Sequence, residues 1–244
     1  MIPKIVHYCW LGPDAFPELV QRCIDSWRRL LPGYEFMLWD TRRFDLDQSL
    51  WCRQAFDAGK YAFAADYIRM YAVYHYGGIY LDCDVEVLKS FDDLLHLPYF
   101  VGHESVGNRM EIAAFGAEKG SEWIGEILDY YAGRPFIKAD GTKDMRVMPD
   151  IAHGIISRKR DIVCISDISE FRDDNGRFNE FPGDWFCANV YLKPEDGRPT
   201  YIVSENTYCV HHFANAWLKK DRRTHSLRRW LHRLVNHIPW KCTV

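Results

Sequence analysis

Asp82 and Asp84 flank Cys83 at the end of an apolar run, Ile79-Tyr80-Leu81, which follows Gly77-Gly78. On an extended segment, residues two apart project from the same face. The two carboxylates can therefore converge on one hard divalent cation, and oxygen ligands favour Mg²⁺, Mn²⁺ or Ca²⁺ over Zn²⁺. An isolated Asp-x-Asp pair also occurs on solvated strand ends, so its meaning rests on its surroundings. Immediately upstream, Tyr61 to Tyr76 has helical spacing with nearly every face apolar. Phe63, Tyr67, Met70, Tyr71 and Tyr74 make one stripe, and Ala65, Ile68 and Ala72 another. Such a helix is expected to be buried. Asp66 and Arg69 lie three residues apart on one side of it. A buried charge is costly without partners, so the pair is either an internal salt bridge or the wall of a polar cavity.

The elements that must position these groups start at the first residues. Ile5 to Trp10 reads as a buried strand broken at Gly12-Pro13. Pro17 to Leu31 reads as a helix ending at Pro32-Gly33, and Tyr34 to Trp39 as the next strand. This β-α-β opening predicts a parallel sheet whose strand ends aim their loops at a ligand. Asp45 to Gly59 reads as helical. Beyond the Asp-x-Asp segment, Val87 to Leu95 reads as a turn or short helix, Tyr99 to His103 and Glu111 to Gly116 as strands, and Glu122 to Tyr131 as a helix. Gly133 to Asp150 suits a loop, with a short helix over Ile151 to Ser157. Arg172 to Gly176 is a turn with solvated charges.

The chain has 244 residues, enough for one large α/β domain without disulfide staples. A formal net charge of −3 argues against a nucleic-acid binder, and no nucleic-acid partner is expected. Eight scattered cysteines form no Cys-x-x-Cys pair, which suits reduced thiols rather than a zinc ribbon. Nothing near Met1 has the apolar core of a signal peptide, so a cytoplasmic location is expected. The expected organisation is a catalytic domain over 1–218 and an appendage over 219–244. In the latter, Lys219, Lys220, Arg222, Arg223, Arg228, Arg229, Arg233 and Lys241 accompany Leu227, Trp230, Leu231, Leu234 and Ile238 at helical spacing. This basic amphipathic helix either lies on an anionic membrane, at its inner face, or packs on the domain.

Together these blocks resemble the family-32 glycosyltransferases, the Asp-x-Asp sugar transferases related in catalytic core to the clostridial glucosylating toxins. The resemblance is carried by Ile2-Pro3-Lys4-Ile5-Val6-His7 through Trp10-Leu11-Gly12. It continues in Ala65-Asp66-Tyr67-Ile68-Arg69 through Gly77-Gly78 to Asp84, and resumes at Cys209 to Trp217, where Ala216 replaces the family's serine. It implies a GT-A-type fold: a Rossmann-like, mostly parallel sheet flanked by helices. It also implies a metal-dependent retaining transferase that moves a sugar from a nucleotide-sugar donor, a UDP-sugar being favoured over a GDP-sugar. The implied acceptor is a glycan or lipid-linked glycan in capsule, exopolysaccharide or lipopolysaccharide synthesis.

On this resemblance, Asp84 ligates Mn²⁺ or Mg²⁺ directly. Asp82 binds the ion directly or through water and accepts hydrogen bonds from ribose or sugar hydroxyls. Asp66 and Arg69 hold the transferred sugar, Trp10 stacks on the base beside Gly12, His211 or His212 completes the metal shell, and Trp217 donates to the diphosphate. Glu104, Asn108 and Asp150 are further candidate contacts. Two other classes compete: a haloacid dehalogenase-like phosphatase with Asp82 as nucleophile, and a catalytically silent, membrane-associated binding module.

Overall fold

The computed structural model describes residues 1–12, 14–103, 109–192 and 199–214, with 189–192 and 199–202 described by backbone alone. Met1–Phe213 form one compact unit, and Ala214–Val244 a second. Trp217, Ala216 and the expected basic helix of 219–244 fall outside the described residues, as do Glu104 and Asn108.

The chain begins β1 (Ile5–Cys9), α1 (Glu18–Leu30), β2 (Glu35–Trp39), α2 (Leu50–Asp57), α3 (Tyr61–Tyr76), β3 (Gly78–Leu81) and β4 (Val85–Val87). Then come β5 (Tyr99–His103), β6 (Met110–Ala117), α4 (Glu122–Tyr131), α5 (Met148–Ile156), β7 (Asp161–Cys164), β8 (Arg177–Glu180) and the single turn α6 (Gly183–Phe186). The short strands β9 (Asn189–Leu192), β10 (Pro199–Ile202) and β11 (Cys209–His211) complete the described strands, and short 3-10 turns lie at Leu46–Gln48, Asp92–Leu94 and Ile168–Glu170. Five strands form the main sheet in the order β2-β1-β3-β6-β5. β1 runs parallel to β2 and β3, whereas β6 is antiparallel to both β3 and β5. Only β6 is therefore reversed, and the expected Rossmann-like, mostly parallel sheet is present.

Strands in such a sheet are covered on both faces and read as continuous apolar runs. In β3 the alternation is visible: Tyr80 packs into the layer built with Phe63, Ile68, Val73 and Ile124, while Ile79 and Leu81 enter the opposite layer with Trp27, Phe91 and Phe100. The expected stripe of α3 is buried at Phe63 and Met70, while its tyrosines pack against the edge of the core. Ala64, Ile68, Ala72 and Val73 are buried with them, as are Asp66 and Arg69, and Tyr67, Tyr71 and Tyr74 stay half-buried. The stretch expected as one helix over 45–59 breaks at Ser49, whose hydroxyl caps α2 by accepting from the Cys52 amide. The loop expected up to Asp150 ends earlier, because Pro149 occupies the first turn of α5, where its missing N–H costs nothing.

Two glycines make the junction between α3 and β3 possible. Gly77 and Gly78 have φ of 68° and 114°, and a Cβ on Gly78 would meet the Ile5 carbonyl oxygen at 2.6 Å. Only a residue without Cβ allows β3 to enter the sheet so close behind the helix. The same junction is held by His7, fully buried on β1. Its Nε2–H donates to the Gly77 carbonyl at 2.8 Å, and its Nδ1 accepts from the Trp39 indole at 3.1 Å. Both ring nitrogens are committed to a neutral imidazole, and burial lowers the His7 pKa to about 4.

A histidine depressed in the folded state stabilises it above the unfolded value near 6.5, and that contribution disappears as pH falls through 6.5 towards 4. The loss should reach roughly 3 kcal/mol. Urea unfolding of the wild type is therefore expected to weaken more steeply over this window than that of His7→Gln. Parallel pH dependences would contradict the assignment.

Candidate active site

The Asp-x-Asp segment is not the extended strand end that its spacing suggests. Asp82 leaves β3 with its amide bonded to the Ala113 carbonyl, and the Val85 amide returns to the Asp82 carbonyl at 2.9 Å, closing a turn over Cys83 and Asp84. Cys83 points inward, its thiol donating to the Cys9 carbonyl. Beyond the turn, α1 fixes β4: the Trp27 indole donates to the Val85 carbonyl at 2.7 Å, and Ser26 Oγ accepts from the Val87 amide. The turn rather than strand alternation brings the two carboxylates together.

The third member arrives from the far end of the described chain. β11 pairs antiparallel with β4, placing His211 opposite Val85. One ligand atom from each of Asp82, Asp84 and His211 lies within 4.8 Å of the others, and His211 Nε2 is 3.5 Å from Asp84 Oδ1. His212 takes a different position. Its amide donates to the Asp84 carbonyl and its ring nitrogen meets Glu86 at 2.9 Å.

Behind this cluster sits Arg69. Its Nη2 lies 3.2 Å from Asp66 and 3.3 Å from Asp82, its Nη1 donates to the Ile112 carbonyl at 3.0 Å, and its guanidinium covers the Tyr80 ring. Tyr80 itself donates to Asp82 Oδ1 at 2.9 Å. Asp66 and Arg69 therefore form an internal ion pair that is also shared with Asp82. Their side chains are only 12% and 9% exposed, whereas Asp82 is 26% exposed, so the metal-type carboxylate is the more accessible one.

The electrostatics follow from this burial. Desolvation pushes Asp66 up to about 6 against the pull of Arg69, and it raises Asp82 as well. Burial disfavours the Arg69 cation, but Asp82, Tyr80 and Asp66 outweigh that and hold it charged. Burial likewise opposes the His211 imidazolium, yet Asp84, Cys187 and Glu111 outweigh it and raise the pKa well above the ordinary histidine value. Carboxylates crowded beside a carboxylate-poised imidazole make a donor set of oxygen and nitrogen atoms. Mn²⁺ and Mg²⁺ suit such a set.

Other residues singled out from sequence lie as follows. Trp10 is half-buried at the end of β1, its indole N–H donated to the Asp14 carbonyl and its ring edge-on to Phe16. Gly12 is half-buried too, with only the Tyr61 ring near where a Cβ would be. Asp150 is surface-exposed and pairs with Arg109 at 3.5 Å. Sequence reasoning passed over Tyr80, Glu111 and Cys187. Glu111 carried a usable signal, being the one charge in the apolar run from Met110 to Ala117. Cys187 carried none.

Residues 17–101 match the family model described as the glycosyltransferase sugar-binding region containing the DXD motif. Over those residues the chain is similar to this family. The matched region includes α3, the Gly77-Gly78 junction and the Asp82-Cys83-Asp84 turn. The chain is 39% identical over 110 residues to inositol phosphoceramide mannosyltransferase 2 of Schizosaccharomyces pombe. It is 33% identical over 108 residues to the mannosyl phosphorylinositol ceramide synthase SUR1 of Saccharomyces cerevisiae. Each match covers 41% of this chain but only 30% and 27%, respectively, of the relative. The chain thus spans less than a third of the length of these curated relatives. Among solved structures, the PaToxG glycosyltransferase aligns with a TM-score of 0.48 at 20% identity, over 64% of this chain and 69% of that one.

Proposed function

We propose that this protein transfers a hexosyl group from a nucleoside-diphosphate sugar to a glycan or lipid-linked glycan, in a metal-dependent reaction that retains anomeric configuration. The observation that carries the proposal is the convergence of Asp82, Asp84 and His211 in front of the Asp66–Arg69 pair. Asp84 and His211 would hold Mn²⁺ or Mg²⁺, with Asp82 ligating directly or through water. A divalent cation there supplies Lewis-acid stabilisation for the negative charge that builds on the leaving diphosphate.

The chain's own groups do the rest. Asp82 is oriented by the Tyr80 hydroxyl and Arg69, which leaves it shaped to accept hydrogen bonds from ribose or sugar hydroxyls. Asp66 and Arg69 offer one acceptor and one donor to the transferred sugar. Trp10 has already committed its indole N–H, so its contribution is its ring face against the base. Attack comes from the face that the leaving group departs, and a diphosphate oxygen takes the acceptor proton. No protein base is assigned. The same pinning of Asp82 favours a binding role over the nucleophilic role that a phosphatase requires.

The relatives' names put mannose first among the hexoses to test, alongside the UDP-sugars expected from sequence. A thermal-shift and hydrolysis panel of GDP-mannose, UDP-glucose and UDP-N-acetylglucosamine, each with Mn²⁺ or EDTA, tests the proposal. A donor at about a hundred times its Kd should stabilise the fold by about 2.7 kcal/mol, raising Tm by roughly 5–10 °C. Slow donor hydrolysis should require the metal. The proposal fails if no donor shifts Tm in the presence of Mn²⁺ while a chromogenic phosphate ester is turned over.

A further inference from the structure

His211 presents two nitrogens to two different environments. Nε2 faces Asp84 at 3.5 Å, and Nδ1 faces Glu111 Oε1 at 3.6 Å. Glu111 is 3% exposed, and its backbone belongs to β6, whose start lies beside the Asp82 turn. One carboxylate oxygen is fixed by the Ala113 amide at 2.8 Å. The other, Oε2, is buried without a hydrogen-bond partner, and so is His211 Nδ1. A buried orphan donor or acceptor is costly, and more so when charged. The carboxylate oxygen nearest Nδ1 is Oε1, at 3.6 Å, and a carboxylate oxygen that already accepts from one amide has a second lone pair for the imidazole N–H.

We propose that Glu111 is a positioning residue of the metal centre: by accepting the Nδ1–H of His211, it holds the imidazole in the tautomer whose Nε2 lone pair faces Asp82 and Asp84. A ligating histidine commonly donates its second N–H to a carboxylate, which fixes the ring and raises its basicity, and loss of that partner weakens metal binding about 10–100-fold. Glu111 touches neither donor nor acceptor in this role. It acts only through His211. The inference rests on the metal-dependent reading above. It adds to that reading a residue outside the Asp-x-Asp motif, reached from a strand that carries no other charge.

Two measurements on the full chain test it. Mn²⁺ affinity is measured by titration for the wild type and Glu111→Gln, whose side chain keeps the shape but loses the charge. In parallel, the ring nitrogens of His211 in the wild type are read by ¹⁵N NMR with Mg²⁺ bound, which does not depend on any variant folding. The expected results are a 10–100-fold weaker Mn²⁺ affinity in Glu111→Gln with an unchanged circular dichroism spectrum, and a wild-type His211 protonated at Nδ1. Equal Mn²⁺ affinity in both proteins overturns the role of Glu111 and leaves the metal reading standing. So does a wild-type Nδ1 that carries a metal rather than a proton, the arrangement expected if Glu111, Cys187 and His211 formed a separate cation site. A wild type that binds no Mn²⁺ at all overturns both.

Discussion

Replacing Arg69 with methionine is expected to destabilise the protein by roughly 3–5 kcal/mol at pH 7. The methionine fills most of the volume, so packing is not the dominant loss. What is lost is the single cation between Asp66 and Asp82, both of which lie within 3.3 Å of Nη2. Those carboxylates would then face one another across a buried space, and the Ile112 carbonyl would lose its donor. For a chain of this size, such a loss corresponds to roughly 6–20 °C in Tm. A double variant, Arg69→Met with Asp66→Asn, should recover part of it, because it removes one of the stranded charges. Calorimetry of the two variants checks this, and equal melting temperatures for Arg69→Met and the wild type would show that the ion network contributes nothing to the fold.

Replacing Asp84 with asparagine should instead spare the fold and abolish the reaction. Asp84 sits in the turn after β3 and its carbonyl, which accepts from the His212 amide, is untouched by the change. The substitution removes one negative charge from a cluster that also holds Asp82 and His211. Metal-dependent turnover should fall about a thousandfold or more, equivalent to roughly 4 kcal/mol of transition-state charge stabilisation. Tm should change by only a few degrees, because what is lost is a partly exposed ion pair with His211. Turnover measured with saturating Mn²⁺ distinguishes weakened metal binding from lost chemistry, since added metal rescues only the former.

The first β-α-β unit, the helix over Tyr61–Tyr76 and the Gly77-Gly78 junction were legible in the sequence because local signals and tertiary packing agree there. The helix is apolar, and from Phe63 to Tyr74 it is buried or half-buried. The glycines sit where φ is positive. Legibility fell where a long-range contact decides the outcome. Nothing local says that Asp82 and Asp84 meet through a turn, since their spacing equally fits a strand. The turn is enforced by Cys83 bonding to β1 and by Trp27 and Ser26 clamping β4 from α1, 58 and 61 residues away in sequence.

The histidine pair shows the same limit. His211 and His212 are adjacent and chemically identical, so composition and spacing cannot separate them. The pairing of β11 with β4 does, aiming His211 at Asp84 and His212 at Glu86. Glu111 was overlooked for a related reason. A lone acid in an apolar strand signals a buried partner, but the partner lies 100 residues further along the chain.

Asp82, Asp84 and His211 are proposed to form a cation site for a nucleoside diphosphate. The most direct test is calorimetric titration of UDP and of GDP into the wild type with Mn²⁺, with EDTA, and into Asp84→Asn with Mn²⁺. The structure predicts that one of the two nucleotides binds the wild type with Mn²⁺, and that this binding disappears in EDTA and in the variant. Nucleotide binding of equal strength under all three conditions would contradict it.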